Sequence, residues 1–142
     1  MCIRDSGNIA WSSRIPKVQQ TTDDGGYFSS YSMAVVRDRM FFVYNDNSRN
    51  FGDRGNRRNL HSFNGSNSII AMSEVNQKGV VRKYALGNNR DEKILTRPKV
   101  CEQTGLYEMV VFGERRGKFK FGTLNFVPQE NTLTKKRKVK TQ

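Results

Sequence analysis

The chain is poor in the residues that build most catalytic and metal sites. Its 142 residues include one histidine, His61, and two cysteines, Cys2 and Cys101. No H-x-x-x-H or C-x-x-C spacing occurs, so the sequence offers neither a zinc motif nor a local arrangement for nucleophilic catalysis. We therefore predict no catalytic residue, no metal site and no cofactor, and we expect Cys101, within a strand-like segment, to be a small buried hydrophobic residue.

Long hydrophobic runs are missing as well. Hydrophobic residues make up 35% of the chain, and no apolar run approaches the roughly 18 residues that a membrane-spanning helix needs. The length suits one domain better than two. These features predict a single domain with a modest core and no membrane span in this sequence.

Acidic residues are scarce relative to basic ones. The 25 lysines and arginines exceed the 13 aspartates and glutamates, and the formal net charge is +12. Five of the positive charges fall in the last eight residues, and we expect residues 128–142 to be a disordered basic tail. Such charge attracts phosphate or polysaccharide carboxylate without selecting between them.

Alternating apolar and polar residues predict strands along most of the chain, whereas helical periodicity is hard to find. Clusters of Gly, Asn and Asp mark the turns between these segments. In the last strand the apolar phase changes at Gly122, which predicts a β-bulge there. The predicted strands are Ile9 to Ile15, Tyr31 to Val36, Met40 to Tyr44, Ser68 to Val75, Val80 to Leu86, Arg97 to Gln103, Leu106 to Gly113 and Lys118 to Phe126.

The sequence also contains an internal repeat. Residues 7–15, 31–44 and 68–75 resemble, in the same order, residues 79–86, 99–112 and 118–125. A single small sheet cannot bury both of its faces, and repeated sheets solve this by covering one another. We therefore predict an all-β fold of antiparallel four-stranded repeats, about two blades of a truncated β-propeller. Its parts are an outer strand at 7–16, a full blade at 30–86 and three strands of the last blade at 97–126.

The first six residues, Met1 to Ser6, do not continue the strand-like pattern of the sequence that follows. They show no signal-peptide pattern, and they resemble the translation of a sequencing adapter. We expect residues 1–6 to be an artefact, authentic sequence to begin near Gly7, and further blades of the same chain to lie upstream as its packing partners.

Three segments carry a resemblance to a known group of proteins. Trp11 to Lys17, Ser29 to Asp46 and Thr96 to Val100 together resemble the C-terminal parts of propeller-like proteins from Bacteroidota. The resemblance covers most of residues 7 to 127 and brings no catalytic residues with it. It implies an extracytoplasmic, cell-surface location.

A long polar segment is the first candidate for a functional site. Residues 45–67 are rich in Asn and Gly, which predicts a surface loop, and we read Asn45 to Asn50 as turn chemistry rather than a calcium loop. Tyr27 and Phe28, at the entry to a strand, are the aromatic residues expected to contact a ligand. The candidate binding residues of the loop are Arg49, Arg54, Arg57, Arg58 and His61.

These features favour a non-catalytic binding or scaffold module whose basic loop reaches a protein partner or an anionic glycan. Two alternatives remain at this level. One is a nucleic-acid-binding protein that uses the loop and the basic tail. The other is the non-catalytic part of a propeller enzyme whose site lies in a missing N-terminal region.

Overall fold

Antiparallel strands make up the regular structure of the chain, as the alternation predicts. The computed structural model describes residues 1–22, 25–51, 59–89 and 94–126. The predicted disordered tail at 128–142 lies outside these residues. The strands are β1 (Cys2–Ile3), β2 (Ile9–Trp11), β3 (Ser32–Val36), β4 (Arg39–Asn47), β5 (Ser68–Asn76), β6 (Val81–Asn88), β7 (Leu95–Thr96), β8 (Glu102–Gly105), β9 (Glu108–Arg115) and β10 (Lys118–Asn125).

The first sheet is a meander of β3, β4, β5 and β6 in that order. Tight turns join β3 to β4 and β5 to β6, and each contains a residue with a left-handed backbone: Arg37 has a φ of 55° and Gly79 a φ of 76°. The long segment between Asn47 and Ser68 joins β4 to β5. The inner face of this sheet carries Ala34 and Val43, both almost fully buried. The predicted segments at 31–44, 68–75 and 80–86 correspond to these four strands.

The second sheet has β9 at its centre, with β10 on one side and both β7 and β8 on the other. Arg97 to Gln103 was predicted as one strand, and this prediction is wrong. Pro98 lacks the N–H that a continuous ladder requires, and Pro98–Val100 forms a short 3-10 helix instead. The edge strand is thereby divided into β7 and β8.

The predicted bulge at Gly122 is also wrong. Every residue from Lys118 to Asn125 pairs with β9 in unbroken register, and Gly122 lies opposite Val111. The apolar phase changes because the two halves of β10 use different faces. Phe119 and Phe121 lie on the outer face beside Phe112, whereas Leu124 packs into the core.

The two sheets pack against each other through one hydrophobic core. Ala34, Val43 and Met109 are its buried centre, surrounded by Phe41, Ile70, Met72, Val111, Leu124 and Phe126. Strand β3 of the first sheet and strand β8 of the second are also tied directly. The Gln103 side chain donates to the Val35 carbonyl at 3.0 Å and accepts from the Val35 N–H at 2.9 Å, at the outer edge of β3.

The N-terminal segment covers the opposite face of the first sheet. Strand β2 pairs with β1, and the Trp11 indole N–H donates to the Gln77 carbonyl at 2.7 Å. Glycine is required at the contact point, since a Cβ at Gly79 would lie 2.7 Å from the Trp11 ring.

Among the described residues no helix has the length and apolarity to cross a membrane.

Candidate functional site

The polar excursion begins where β4 ends, at a buried aspartate. The Asp46 side chain is fully buried, and its Oδ1 accepts from the Asn47 N–H at 2.8 Å and from Asn50 Nδ2 at 2.7 Å. Its Oδ2 lies 3.0 Å from Lys83 Nζ. Because this carboxylate is both paired and hydrogen-bonded, the end of β4 is a fixed point from which the loop departs.

A short 3-10 helix, Ser48–Asn50, follows directly and carries Arg49. Asn47 accepts from the Arg49 N–H through its side chain at 3.0 Å, which caps the helix. The Asn47 Nδ2 group also donates to the Ser62 carbonyl at 2.8 Å, across the loop. Turn chemistry is therefore found at Asn47 and Asn50. Asn45 departs from the expectation, because it is buried in β4 and its Nδ2 group donates to the carbonyls of Phe28 and Thr96.

The returning arm of the loop is held as firmly as the departing one. Asn50 exchanges two hydrogen bonds with the backbone of His61, at 2.9 and 2.8 Å. The Phe63 N–H donates to the Val18 carbonyl at 2.9 Å, beside a parallel bridge between Val18 and Ser62. We call residues Asp46 to Asn50 and His61 to Phe63 the loop base.

Arg49 and His61, two of the predicted loop residues, are therefore both exposed on the loop base. The other three, Arg54, Arg57 and Arg58, lie outside the described residues. The structure thus brings Arg49 and His61 onto one rigid support, through the side chains of Asn47 and Asn50.

Tyr27 and Phe28, the predicted aromatic contacts, lie in a different setting. The Tyr27 hydroxyl donates to Glu114 at 2.8 Å, and the Arg97 guanidinium covers the Tyr27 ring at 3.6 Å. Phe28 packs edge-on against Tyr27. The Tyr27 contacts attach this segment to the second sheet, whereas the Phe28 carbonyl accepts from Asn45 Nδ2 on β4 at 2.9 Å. Within the part of the chain that the structure describes, no hydrogen bond joins Tyr27 or Phe28 to Arg49 or His61.

Two lysines beneath the loop base were not predicted as site residues from the sequence. Lys83, on β6, donates to Asp46 and also to the Pro16 carbonyl at 2.9 Å. Lys17 donates to Gln19 and to the Ser30 carbonyl, with its ammonium 5.0 Å from the centre of the Tyr44 ring. Burial lowers the pKa of Lys17, and the nearby Asp46 charge opposes that shift. No local pattern signals either lysine, because Lys17 lies outside the strands and Lys83 is out of phase with the apolar residues Tyr84 and Leu86 of its strand.

Tyr44 is the buried centre of this cluster. Its side chain is fully buried and its hydroxyl lies 2.8 Å from the Ser73 hydroxyl. Burial raises the pKa of Tyr44 to about 12. Tyr44 is therefore a core residue of β4.

A pH titration should reveal that burial. Folding favours neutral Tyr44, so its contribution to stability is complete below pH 10.0, the ordinary pKa, and is lost as the pH rises to about 12. The linkage amounts to about 1.4 kcal/mol for each pH unit separating the folded and unfolded pKa values. Urea unfolding across this range should show a fall in stability that Tyr44→Phe reduces. An equal fall in stability with pH in Tyr44→Phe and in the parent protein would contradict the raised pKa of Tyr44.

Cys101 is buried, as predicted, and burial raises the pKa of its thiol. The Cys101 sulfur lies at the break between β7 and β8, beside β9. It accepts from the Phe112 N–H of β9 at 3.4 Å. This is a structural role.

Comparisons with known proteins give no relatives for this chain: a scan against protein-family models, a search of curated proteins and a search of solved structures found no match.

Proposed function

We propose that this chain is a non-catalytic binding or scaffold module whose basic loop binds an anionic polysaccharide. The observation that carries the proposal is the construction of the loop base. Asn47 and Asn50 use their side chains to hold both arms of the loop, while Arg49 and His61 remain exposed. A support fixed in advance lowers the ordering cost of binding.

The charge distribution supports an anionic ligand. The chain carries a formal charge of +12, and the loop sequence contributes Arg49, Arg54, Arg57 and Arg58. The carboxylate at the loop base does not oppose them at the surface, because Asp46 is buried against Lys83. Arginine also suits this task, since its planar guanidinium binds carboxylate and sulfate-like groups through two parallel hydrogen bonds.

We further propose that the two sheets are consecutive blades of a β-propeller. Three features support this reading: the sequence repeat, the four-stranded meander of the first sheet, and the stacking of the second sheet on it with β3 beside β8. A cell-surface location is supported by the resemblance to propeller-like proteins from Bacteroidota.

The test is retention on a sulfated or carboxylated polysaccharide resin. Replacing Arg49, Arg54, Arg57 and Arg58 with serine should lower the salt concentration at which the protein elutes. The matched control removes four charges from the C-terminal tail, and it should elute close to the parent protein. It replaces with serine the residues Lys135, Lys136, Arg137 and Lys138. Equal elution of the loop variant and the parent, or a larger loss in the tail variant, would remove the role of the loop.

The same variants distinguish a nucleic-acid ligand. Each phosphate contact adds about 0.9 to the slope of log affinity against log salt for duplex DNA and about 0.7 for single strands. Binding to an oligonucleotide that is tighter than binding to the polysaccharide at physiological salt, with a steep slope reduced in the tail variant, would favour nucleic acid over a glycan.

A further inference from the structure

Strand β10 has an open edge. It pairs with β9 on one side, and on its other side no strand of the described residues pairs with it. The Phe126 N–H donates to the Tyr107 carbonyl at 2.7 Å. Backbone groups alternate in direction along a strand, so the N–H groups of Phe119, Phe121, Thr123 and Asn125 point toward the open edge.

An apolar cleft of about 250 Å³ runs beside this edge, between the two sheets. Its walls are mainly aliphatic, with Lys120, Phe121 and Thr123 of β10 also lining it. At Gly87 and Gly122 an added Cβ would meet no atom within 4 Å. Protein interiors are otherwise close-packed, so this volume suits side chains supplied from outside the described residues. The lining includes Ile70, Leu86, Gly87, Ile94, Val111, Gly113, Gly122 and Leu124.

The cleft continues the interface between the two sheets. Ile70, Val111 and Leu124 line it and also pack around the buried core. Apolar side chains entering the cleft would therefore extend an existing core. By contrast, on the outer edge of β3 the Gln103 side chain already occupies the N–H and the carbonyl of Val35.

The charges along β10 select among possible occupants. Lys118 and Lys120 occupy the first half of the strand, next to Arg115 at the end of β9 and Arg116 in the turn, and Lys120 also lines the cleft. Like charges directly opposite each other on paired strands are destabilising. A second copy of this chain, which carries the same charges, is thereby disfavoured, whereas acidic residues directly opposite the lysines are favoured.

We propose that the open edge of β10 and the adjacent cleft bind an extended segment of a partner polypeptide, antiparallel to β10. Main-chain hydrogen bonds to β10 supply affinity, and alternate side chains supply specificity. Two aliphatic residues of the segment fill the cleft opposite Leu124 and Gly122, and two acidic residues face Lys120 and Lys118.

The probe is a fluorescent peptide of sequence Thr-Ile-Thr-Leu-Thr-Glu-Thr-Glu, as long as β10. Antiparallel pairing with β10 places Ile and Leu in the cleft and the two Glu residues at the lysines. Fluorescence anisotropy should show saturable binding to the full chain. The reversed peptide, which has the same composition but moves the aliphatic residues to the other face, should bind at least about tenfold more weakly, a difference of 1.4 kcal/mol.

Two sets of variants locate the site. Gly122→Phe fills the cleft from within and should weaken binding at least about tenfold, while Gly122→Ala, its matched control, should bind nearly as the parent does. Exchanging Lys118 and Lys120 for glutamate should abolish binding of the acidic peptide and permit binding of a peptide with lysine in place of both Glu residues. Thermal unfolding of each variant checks that the fold is retained.

Binding that follows this pattern supports the proposal. Equal binding of the forward and reversed peptides, unchanged binding in Gly122→Phe, or no binding of the forward peptide at millimolar concentration would overturn it. Concentration-dependent dimers that Gly122→Phe abolishes would assign the edge to a second copy instead, and would also overturn it.

Discussion

Lys83→Met is expected to destabilise the protein by about 3–5 kcal/mol, the usual cost of leaving a buried charge without its partner. Asp46 is fully buried, and the Lys83 side chain is 18% exposed, with 3.0 Å between the paired atoms. Asn47 and Asn50 still donate to Asp46 in the variant, but they are neutral and do not balance its charge. Loss of the Lys83 bond to the Pro16 carbonyl adds to the effect.

Chemical denaturation, read by far-ultraviolet circular dichroism, measures this change. Lys78→Met is the matched control, because Lys78 lies in the turn before β6 and its hydrogen bond to the Asn76 side chain is donated by the backbone N–H. The double variant Lys83→Met with Asp46→Leu should recover part of the lost stability, since no charge is then left unpaired. A loss below about 1 kcal/mol, the range of exposed pairs, would show that the pair is not buried as described.

Met109→Ala should cost about 2–5 kcal/mol, because it removes buried atoms and leaves a cavity that the surroundings fill incompletely. Met109 has no exposed surface and lies at the centre of the core between the sheets. The two sheets share this residue, so its truncation should loosen both of them together. Denaturation curves followed by tryptophan fluorescence and by circular dichroism should shift by the same amount.

Phe121→Ala provides the comparison, since Phe121 is larger than Met109 but 76% exposed on the outer face of β10. Its contact with Phe112 is the main interaction lost, and surface substitutions of this kind usually cost less than about 0.5–1 kcal/mol. A larger loss from Phe121→Ala than from Met109→Ala would place the core on the other face of the second sheet and contradict the packing.

Local patterns predicted the strands because alternation is a property of neighbouring residues. The apolar run from Met40 to Tyr44 and the turn at Asn76 to Gly79 are both found where the pattern places them. The predicted strand Ile9 to Ile15 extends only to Trp11, and residues 45–47 of the predicted loop belong to β4. Two further errors arise from single residues. Pro98 interrupts the ladder through its missing N–H, and Gly122 marks a change of buried face in a regular strand rather than an extra residue.

The loop base could be predicted in part. The Asn-rich sequence at 45–50 indicates a turn, but its partners lie far along the chain. Lys83 is 37 positions from Asp46, and Tyr27 is 87 positions from Glu114. Such pairs depend on how the strands stack, which no local spacing records. For this reason Tyr27 was identified as a possible ligand contact, whereas the structure shows its contacts with Arg97 and Glu114.

The most direct test of the binding function is an NMR titration of the labelled chain with a carboxylated or sulfated oligosaccharide. The proposal predicts that backbone amide signals of Arg49, Asn50 and His61 shift in a saturable manner, and that the shifts disappear when the four loop arginines are replaced by serine. Shifts confined to β10 or to the C-terminal lysines, with the loop base unchanged, would contradict it.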